Sequence, residues 1–161
     1  MIVQSENISA FEAWVREHEA YAYRFAFSIL MHTQDAQDAV CEAFYKVFRN
    51  GTILERENPT AYLLTVVHHC CYDILRKRKR LIPVADVRSI QDALTGGDFD
   101  QSLDIEQTLK SLPHDMRTAI VLRYYYDWSY EQIAELLRIK TGTVASRINR
   151  AKKRLEAQLE R

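Results

Sequence analysis

The chain has 161 residues, of which 47% are hydrophobic, a length and composition that suit one globular domain or two small ones. Its 22 basic and 22 acidic residues cancel in total but are segregated along the chain, so the net charge of zero does not exclude a nucleic-acid partner. No apolar run is long enough to span a bilayer, no leader-like pattern opens the chain, and the three cysteines suit a reducing compartment; we therefore expect a cytoplasmic protein without direct membrane insertion.

The first predicted element is an amphipathic helix. Only four glycines and three prolines are present and strand-like alternation is nowhere sustained, which predicts an all-α chain. Ser9 and Glu12 have the spacing of a capping box, so we expect the helix to open at Ser9 and to end near Met31.

Two further helices are predicted before residue 80. One runs from about Gln34 to Phe48, with acids near its positive end, and Asn50-Gly51 breaks it. The other starts at Asn58-Pro59, where Asn is a good cap and Pro suits the first turn, and it runs into five consecutive bases, Arg76 to Arg80.

A linker is predicted next. Residues 81 to 104 contain Pro83, Gly96 and Gly97 and show no convincing period, while residues 81 to 110 carry six acids against two bases. We therefore predict a helical domain over residues 1–80, a flexible linker over 81–104 and a second small helical domain over 105–161.

The second domain is predicted to end in a helix-turn-helix. Pro113 starts one helix, and Ser129 with Gln132 forms a capping box that opens a second. Ile133, Ala134 and Leu137 give that second helix a narrow apolar stripe.

The last predicted helix carries the bases. Its inward line, spaced by steps of four, three and four, consists of Val144, Ile148, Ala151 and Leu155. Outside this line lie Ser146, Arg147, Asn149, Arg150 and Lys153. Seven Lys or Arg residues and no acid occur from Arg138 to Arg154. A basic run alone is usually a solvated face, but the outward side of the second helix of a helix-turn-helix faces the major groove, so we predict DNA binding.

The block of five bases has two interpretations. Arg76, Lys77, Arg78, Lys79 and Arg80 end a helix, where the helix dipole favours cations. That effect explains one or two charges and not five. Beside a second nucleic-acid module, phosphate binding is the better interpretation.

Metal and catalytic sites are not predicted. The run from His68 to Cys71 contains four metal-ligand side chains, but successive helical residues point about 100° apart and cannot converge on one ion. We expect buried thiols beside exposed imidazoles. The sequence has no Gly-rich phosphate loop and no nucleophile elbow, so we expect no cofactor, no small-molecule substrate and no enzymatic activity.

In this order, the two halves resemble a bacterial sigma factor of the extracytoplasmic-function (ECF) group of the sigma-70 family. The segment from Asp35 to Phe48 is similar to the helix with which the family binds polymerase, with Cys41 in place of the usual Gln and Phe48 in place of Trp. The resemblance assigns polymerase contacts to Asp35, Asp38, Cys41 and Glu42. The segment from Asn58 to Arg76 resembles the helix that engages the melted minus-ten element, and His69 stands where the family usually has an Asn that holds a flipped base.

The second half resembles the family's reader of the minus-thirty-five element. The motifs are Ser111-Leu-Pro, Ser129-Tyr-Glu-Gln-Ile-Ala and Gly142-Thr-Val-Ala-Ser-Arg. By resemblance, base or groove contacts fall on Ser146, Asn149 and Arg150, with Arg147 and Thr143 nearer phosphates. Arg138 and Lys140 replace the usual Gly and Pro of the turn, so Arg138 must take a left-handed conformation at some cost or the turn must differ.

The resemblance implies a non-catalytic subunit that directs core RNA polymerase to specific promoters and helps to open them. Its implied partners are core RNA polymerase, promoter DNA and an anti-sigma factor. The residues are compatible with two other hypotheses. One is a stand-alone helix-turn-helix regulator, which would dimerise on a palindrome. The other is a helical adaptor whose basic surfaces bind an acidic protein. The adaptor predicts no steep salt dependence of DNA binding, unlike a phosphate binder.

Overall fold

The protein forms two helical units. Its structure is a computed structural model that describes residues 2–81 and 103–160. The chain separates into Met1–Gly97 and Asp98–Arg161, and no strand occurs in the described part of either unit. The predicted all-α fold with two domains is confirmed. Residues 82–102 of the predicted linker lie outside the described residues.

Residues 2–81 of the first unit form three helices that all pack on one another. They are α1 (Ile2–Leu30), α2 (Thr33–Asn50) and α3 (Pro59–Leu81), and a 3-10 turn, Ile53–Glu55, precedes α3. The core takes its largest fully buried side chains from α1 and α3, including Phe25, Ile29, Leu63 and Leu64. Burial of such side chains contributes roughly 1.5–3 kcal/mol each, so packing rather than helix propensity holds the three helices.

Local signals define the connections of the first unit. Gly51 has a left-handed φ of 72°, and its N–H donates to the Phe48 carbonyl at 3.1 Å, which ends α2 as predicted. The Asn58 side chain accepts from the Ala61 N–H at 3.1 Å, which confirms the predicted start of α3. At the start of α2, the His32 ring accepts from the Asp35 N–H at 3.2 Å.

The predicted start of α1 is wrong. The helix already runs from Ile2, so Ser9 and Glu12 lie in its interior. The residues from Ile2 to Ile8 include no Gly or Pro that would stop a helix, and in such a segment a capping pattern does not force a start.

The described part of the second unit, residues 103–160, forms four helices. They are α4 (Leu103–Lys110), α5 (His114–Tyr124), α6 (Tyr130–Leu137) and α7 (Thr141–Leu159). Helix α7 packs against the other three. One core cluster consists of Leu112, Met116, Ile120 and Ala151, with Leu109, Val121 and Leu155 packed against it.

Helix α4 was not predicted. Its first two residues belong to the predicted linker, and the rest was placed in the second domain without a helix. Eight residues are too few to display a clear period, and a helix of that length depends on tertiary packing, here against α7.

The turn between α6 and α7 takes the left-handed alternative. Arg138 has φ 57° and ψ 47°, and the N–H groups of Arg138 and Ile139 both point to the Ala134 carbonyl. Glycine adopts this conformation without the steric cost that a Cβ brings. The family's usual Gly is therefore replaced at a position that still needs a positive φ.

We predict that Arg138→Gly raises the free energy of unfolding by about 1 kcal/mol, because it removes the Cβ from a left-handed backbone. Urea denaturation measures the change. Arg138→Ala is the matched control, since it removes the charge and keeps the Cβ. An equal gain from Ala would show that charge, not backbone conformation, is responsible.

Candidate nucleic-acid and polymerase interfaces

The helix-turn-helix begins at the predicted capping box. The Ser129 N–H donates to Gln132 Oε1 at 2.9 Å, and the Gln132 N–H donates to Ser129 Oγ at 3.1 Å. On α6, Ile133 and Ala134 are buried as predicted, but the third buried residue is Leu136, and Leu137 is only partly buried. Eight residues make just over two turns, so the buried face takes in a residue beside the predicted stripe.

Helix α7 buries the predicted line. Val144, Ile148 and Ala151 are completely buried, and Leu155 is partly buried. Because each residue advances by about 100° around a helix, this burial fixes which side chains point away from the unit. The rotation of α7 is therefore set by its apolar contacts.

The predicted DNA-binding residues of α7 occupy its outer side. Asn149, Arg150 and Lys153 are exposed, whereas Thr143, Ser146 and Arg147 are partly exposed. The Ser146 hydroxyl donates to the Gly142 carbonyl at 2.9 Å, so its oxygen remains able to act as an acceptor. All six lie on a single helix and so form one continuous candidate surface.

Two candidate residues were missed at the start of α7. An open depression there is lined by Glu131, Ala134, Ile139, Lys140, Thr141, Gly142, Thr143 and Ser146. Lys140 and Thr141 are exposed beside the first turn of α7, where free N–H groups favour phosphate. Their position at the start of the helix was the signal available in the sequence.

The basic block at the end of α3 is not uniform. Lys77 and Lys79 are exposed, and exposed Arg76 donates to Asp73 Oδ1 at 2.5 Å within the helix. Arg78, in contrast, is largely covered and forms an ion pair with Asp35 of α2. The Arg80 side chain lies outside the described part of the chain.

The predicted polymerase residues also divide into two groups. Asp38, Cys41 and Glu42 are exposed on α2, with Asp38 accepting from Gln34 Nε2 at 2.9 Å and Glu42 lying 3.5 Å from Lys46 Nζ. Asp35 is only 19% exposed because it faces Arg78. Its carboxylate is thus engaged within the unit.

Beyond the four predicted polymerase residues, the α2 surface has an apolar extension that includes Phe48, which the resemblance placed at the usual Trp, and Tyr45, which was not predicted. Tyr45 is 63% exposed and Phe48 is 49% exposed. The Phe48 ring also lies 5.1 Å from that of Phe11 on α1. Aromatic groups are favoured at protein interfaces, so their position on the same helix as Cys41 and Glu42 was a usable signal.

The segment between α2 and α3 presents a cation and an aromatic ring together. The Arg56 guanidinium carbon lies 3.6 Å from the centroid of the Tyr62 ring, and the Tyr62 hydroxyl accepts from the Asn50 amide at 2.9 Å. Stacked cations and rings of this kind suit unstacked bases. The segment between α2 and α3, together with the first turn of α3, is therefore a candidate surface for an unstacked base.

The histidine and cysteine run is divided by burial. His69 is exposed, but His68 is buried, so the expectation of two exposed imidazoles is wrong for His68. Its ring lies 4.4 Å from that of Tyr72, and neither ring nitrogen has a hydrogen-bond partner among the described residues. Burial and the neighbouring His69 lower the pKa of His68 to about 4.

Both thiols of the run are in the core. Burial raises the pKa of Cys70 to about 11 and also raises the pKa of Cys71, so both are protonated at neutral pH. Nowhere in residues 2–81 and 103–160 do three His, Cys, Asp or Glu side chains come together as a metal site would require. The described helices also include none long and apolar enough to cross a membrane.

Comparison with known proteins identifies the family. Residues 14–81 match the model for sigma-70 region 2, and residues 102–155 match that for sigma-70 region 4. The chain is 32% identical over 147 residues to the RNA polymerase sigma factor SigV of Bacillus subtilis, covering 90% of this chain and 88% of that protein. It is 30% identical over 139 residues to the ECF RNA polymerase sigma factor EcfG of Rhodopseudomonas palustris, covering 84% of this chain and 77% of that protein. The chain is an ECF sigma factor.

A solved structure supports the assignment. The sigma factor is similar to RpoE of Bartonella quintana, which was co-crystallised with the anti-sigma factor NepR. The TM-score is 0.72 at 26% identity, covering 94% of this chain and 97% of that one. The predicted membership of the ECF group is thus confirmed.

We predict that the sigma factor loses stability in acid because of His68. Its pKa in the folded state, about 4, lies below the ordinary value of 6.5, so the unfolded chain takes up a proton first as the pH falls. The free energy of unfolding should therefore decrease as the pH falls from 6.5 to about 4, and the loss should reach about 3 kcal/mol at pH 4.

Urea denaturation of the unaltered chain and of His68→Gln, measured at several pH values in this range, tests the prediction. The substitution should flatten the acid dependence, whereas the control His69→Gln, at an exposed position, should keep most of it. An unchanged acid dependence in His68→Gln would exclude His68 as its source.

Proposed function

We propose that this sigma factor directs core RNA polymerase to specific promoters, reads the minus-thirty-five element with α7 and holds the melted minus-ten strand at α3. The observation that carries the proposal is the outward side of α7, which is free of acids from Thr141 to Arg154 and whose rotation is set by buried Val144, Ile148 and Ala151. That side presents donors and acceptors suited to base edges and phosphates.

The minus-ten function rests on the first unit. Arg56 stacked on Tyr62 offers a ring surface, and exposed His69 offers a hydrogen-bonding group. The exposed cations Arg76, Lys77 and Lys79, at the end of the same helix, offer phosphate contacts. Trapping an unstacked base needs no hydrolysis, since its binding energy offsets the few kcal/mol that unpairing costs. We therefore propose a non-catalytic role without a cofactor.

Core polymerase is the proposed partner of α2. Exposed carboxylates and exposed aromatic rings lie together on this helix, a composition that suits a protein interface; the residues are Asp38, Cys41, Glu42, Tyr45 and Phe48.

Joining two DNA-binding units in one chain raises the effective concentration of the second unit once the first is bound. Moderate contacts thereby give a selective promoter complex.

An anti-sigma factor is a further proposed partner. Support comes from the similar RpoE, which was crystallised with the anti-sigma factor NepR. We place the protein in the cytoplasm, where polymerase and promoter DNA are found.

Run-off transcription with purified core polymerase over a promoter library tests the proposal. We expect transcripts that depend on this chain and start downstream of a shared pair of elements. Binding to palindromic DNA as a dimer without polymerase would instead indicate a stand-alone regulator. DNA binding without a steep salt dependence would favour the adaptor.

We predict that Arg150→Ala weakens recognition selectively at the upstream element. An exposed Arg can pair with a guanine in two hydrogen bonds, a contact worth about 1 to 3 kcal/mol of discrimination. Competition binding of polymerase holoenzyme to matched and altered elements measures the effect. Lys152→Ala is the control, because Lys152 lies on the flank of α7 with its Nζ 5.0 Å from the centroid of the Tyr124 ring. Equal loss on all sequences would assign Arg150 to phosphate.

We predict that Glu42→Arg reduces capture by core polymerase about ten-fold or more, since it reverses a charge at the proposed interface. The domain should remain folded, because Glu42 is exposed and its pair with Lys46 contributes only a few tenths of a kcal/mol. Co-purification with core enzyme measures capture. The control is Glu17→Arg, which makes the same charge change on the exposed side of α1. Undiminished capture of Glu42→Arg would remove α2 from the interface.

A further inference from the structure

The ion pair between Asp35 and Arg78 joins two segments that sequence patterns assign to different partners. Asp35 lies in the first turn of α2, and Arg78 lies one turn before the end of α3. Their side chains are 19% and 23% exposed, whereas the side chain of Arg76 is 67% exposed. Arg78 is therefore largely covered, whereas a side chain that binds phosphate needs to be accessible.

The pair also determines how the basic block is presented. With Arg78 turned toward α2, Lys77 and Lys79 are each rotated by about 100° to either side and Arg76 by about 200°. All three are exposed. Contact between Arg78 and α2 thus orients the other cations away from the helix bundle.

Electrostatics favours keeping the pair intact. If Arg78 left for a phosphate, the largely covered Asp35 carboxylate would lose its cation and would keep, among the described residues, the His32 ring with Nδ1 at 3.3 Å. An uncompensated, partly buried charge is costly.

We propose that Asp35 and Arg78 are positioning residues, a clamp that holds the last turns of α3 against α2 so that Arg76, Lys77 and Lys79 meet the DNA backbone. Neither clamp residue contacts DNA or polymerase itself. This inference rests on the proposed function, and it links the helix that docks on polymerase to the helix that holds the melted strand.

Salt dependence separates a positioning residue from a phosphate ligand. Full-length protein with core polymerase is bound to a pre-melted promoter fork at several salt concentrations. Lys77→Gln, at an exposed position, should reduce the slope of log affinity against log salt by about 0.7 to 0.9, the value of one phosphate contact. Arg78→Gln and Asp35→Asn should weaken binding and lower the slope alike, because each releases the same cations although Asp35→Asn removes no positive charge. A slope reduction in Arg78→Gln alone would assign Arg78 to phosphate and overturn the clamp.

Charge exchange supplies a second readout. Arg78→Asp should weaken fork binding about ten-fold, and combining it with Asp35→Arg should regain a substantial part of the loss, since contacting residues couple. Recovery is expected to be incomplete because a cation in the first turn of α2 meets the positive end of that helix. No recovery in the double variant would overturn the proposal.

Unfolding measurements on the protein alone complete the test. If Arg78→Asp fails to fold, Arg78→Gln, Asp35→Asn and their combination are compared by thermal denaturation. The clamp predicts that the double variant loses less than the sum of the two single losses, and strict additivity would overturn it. Failure of the unaltered chain to bind the fork with core polymerase would instead overturn the proposed function, while the unfolding cycle would still report on the ion pair.

Discussion

The burial of a single apolar stripe on each helix is the constraint on which the surfaces of this sigma factor depend. On α7, Val144, Ile148 and Ala151 are completely buried, so Asn149, Arg150 and Lys153 face solvent. On α2, burial of Val40 and Val47 turns Cys41 and Glu42 outward in the same way. Core packing, a non-directional force, thereby sets the direction of the polar groups that carry recognition.

Most helices and the inward face of α7 were predictable because they depend on local or periodic signals. The Ser129 capping box, the Gly51 stop and the Asn58-Pro59 start each act within a few residues, and all three occur in the structure. The box at Ser9 failed for an instructive reason. A cap stabilises a helix end where the chain already needs one, and nothing before Ser9 interrupts α1.

Contacts between distant residues were beyond prediction from pattern alone. Asp35 and Arg78 were assigned to polymerase and DNA, and no periodicity within α2 or α3 indicates that they pair with each other. Burial of His68 beside an exposed His69 depends likewise on how α3 is rotated in the bundle. Helix α4 depends on its packing against α7, which its own eight residues do not encode.

The exposed aromatic rings of α2 have a consequence for the handling of the isolated protein. Tyr45 and Phe48 present apolar area to water, and the Phe48 ring also contacts that of Phe11. Adjoining apolar side chains of this kind favour contact between identical molecules as concentration rises. Purified preparations should therefore gain colloidal stability from any binding partner that covers these rings, and detergents or mild chaotropes should act on the same area.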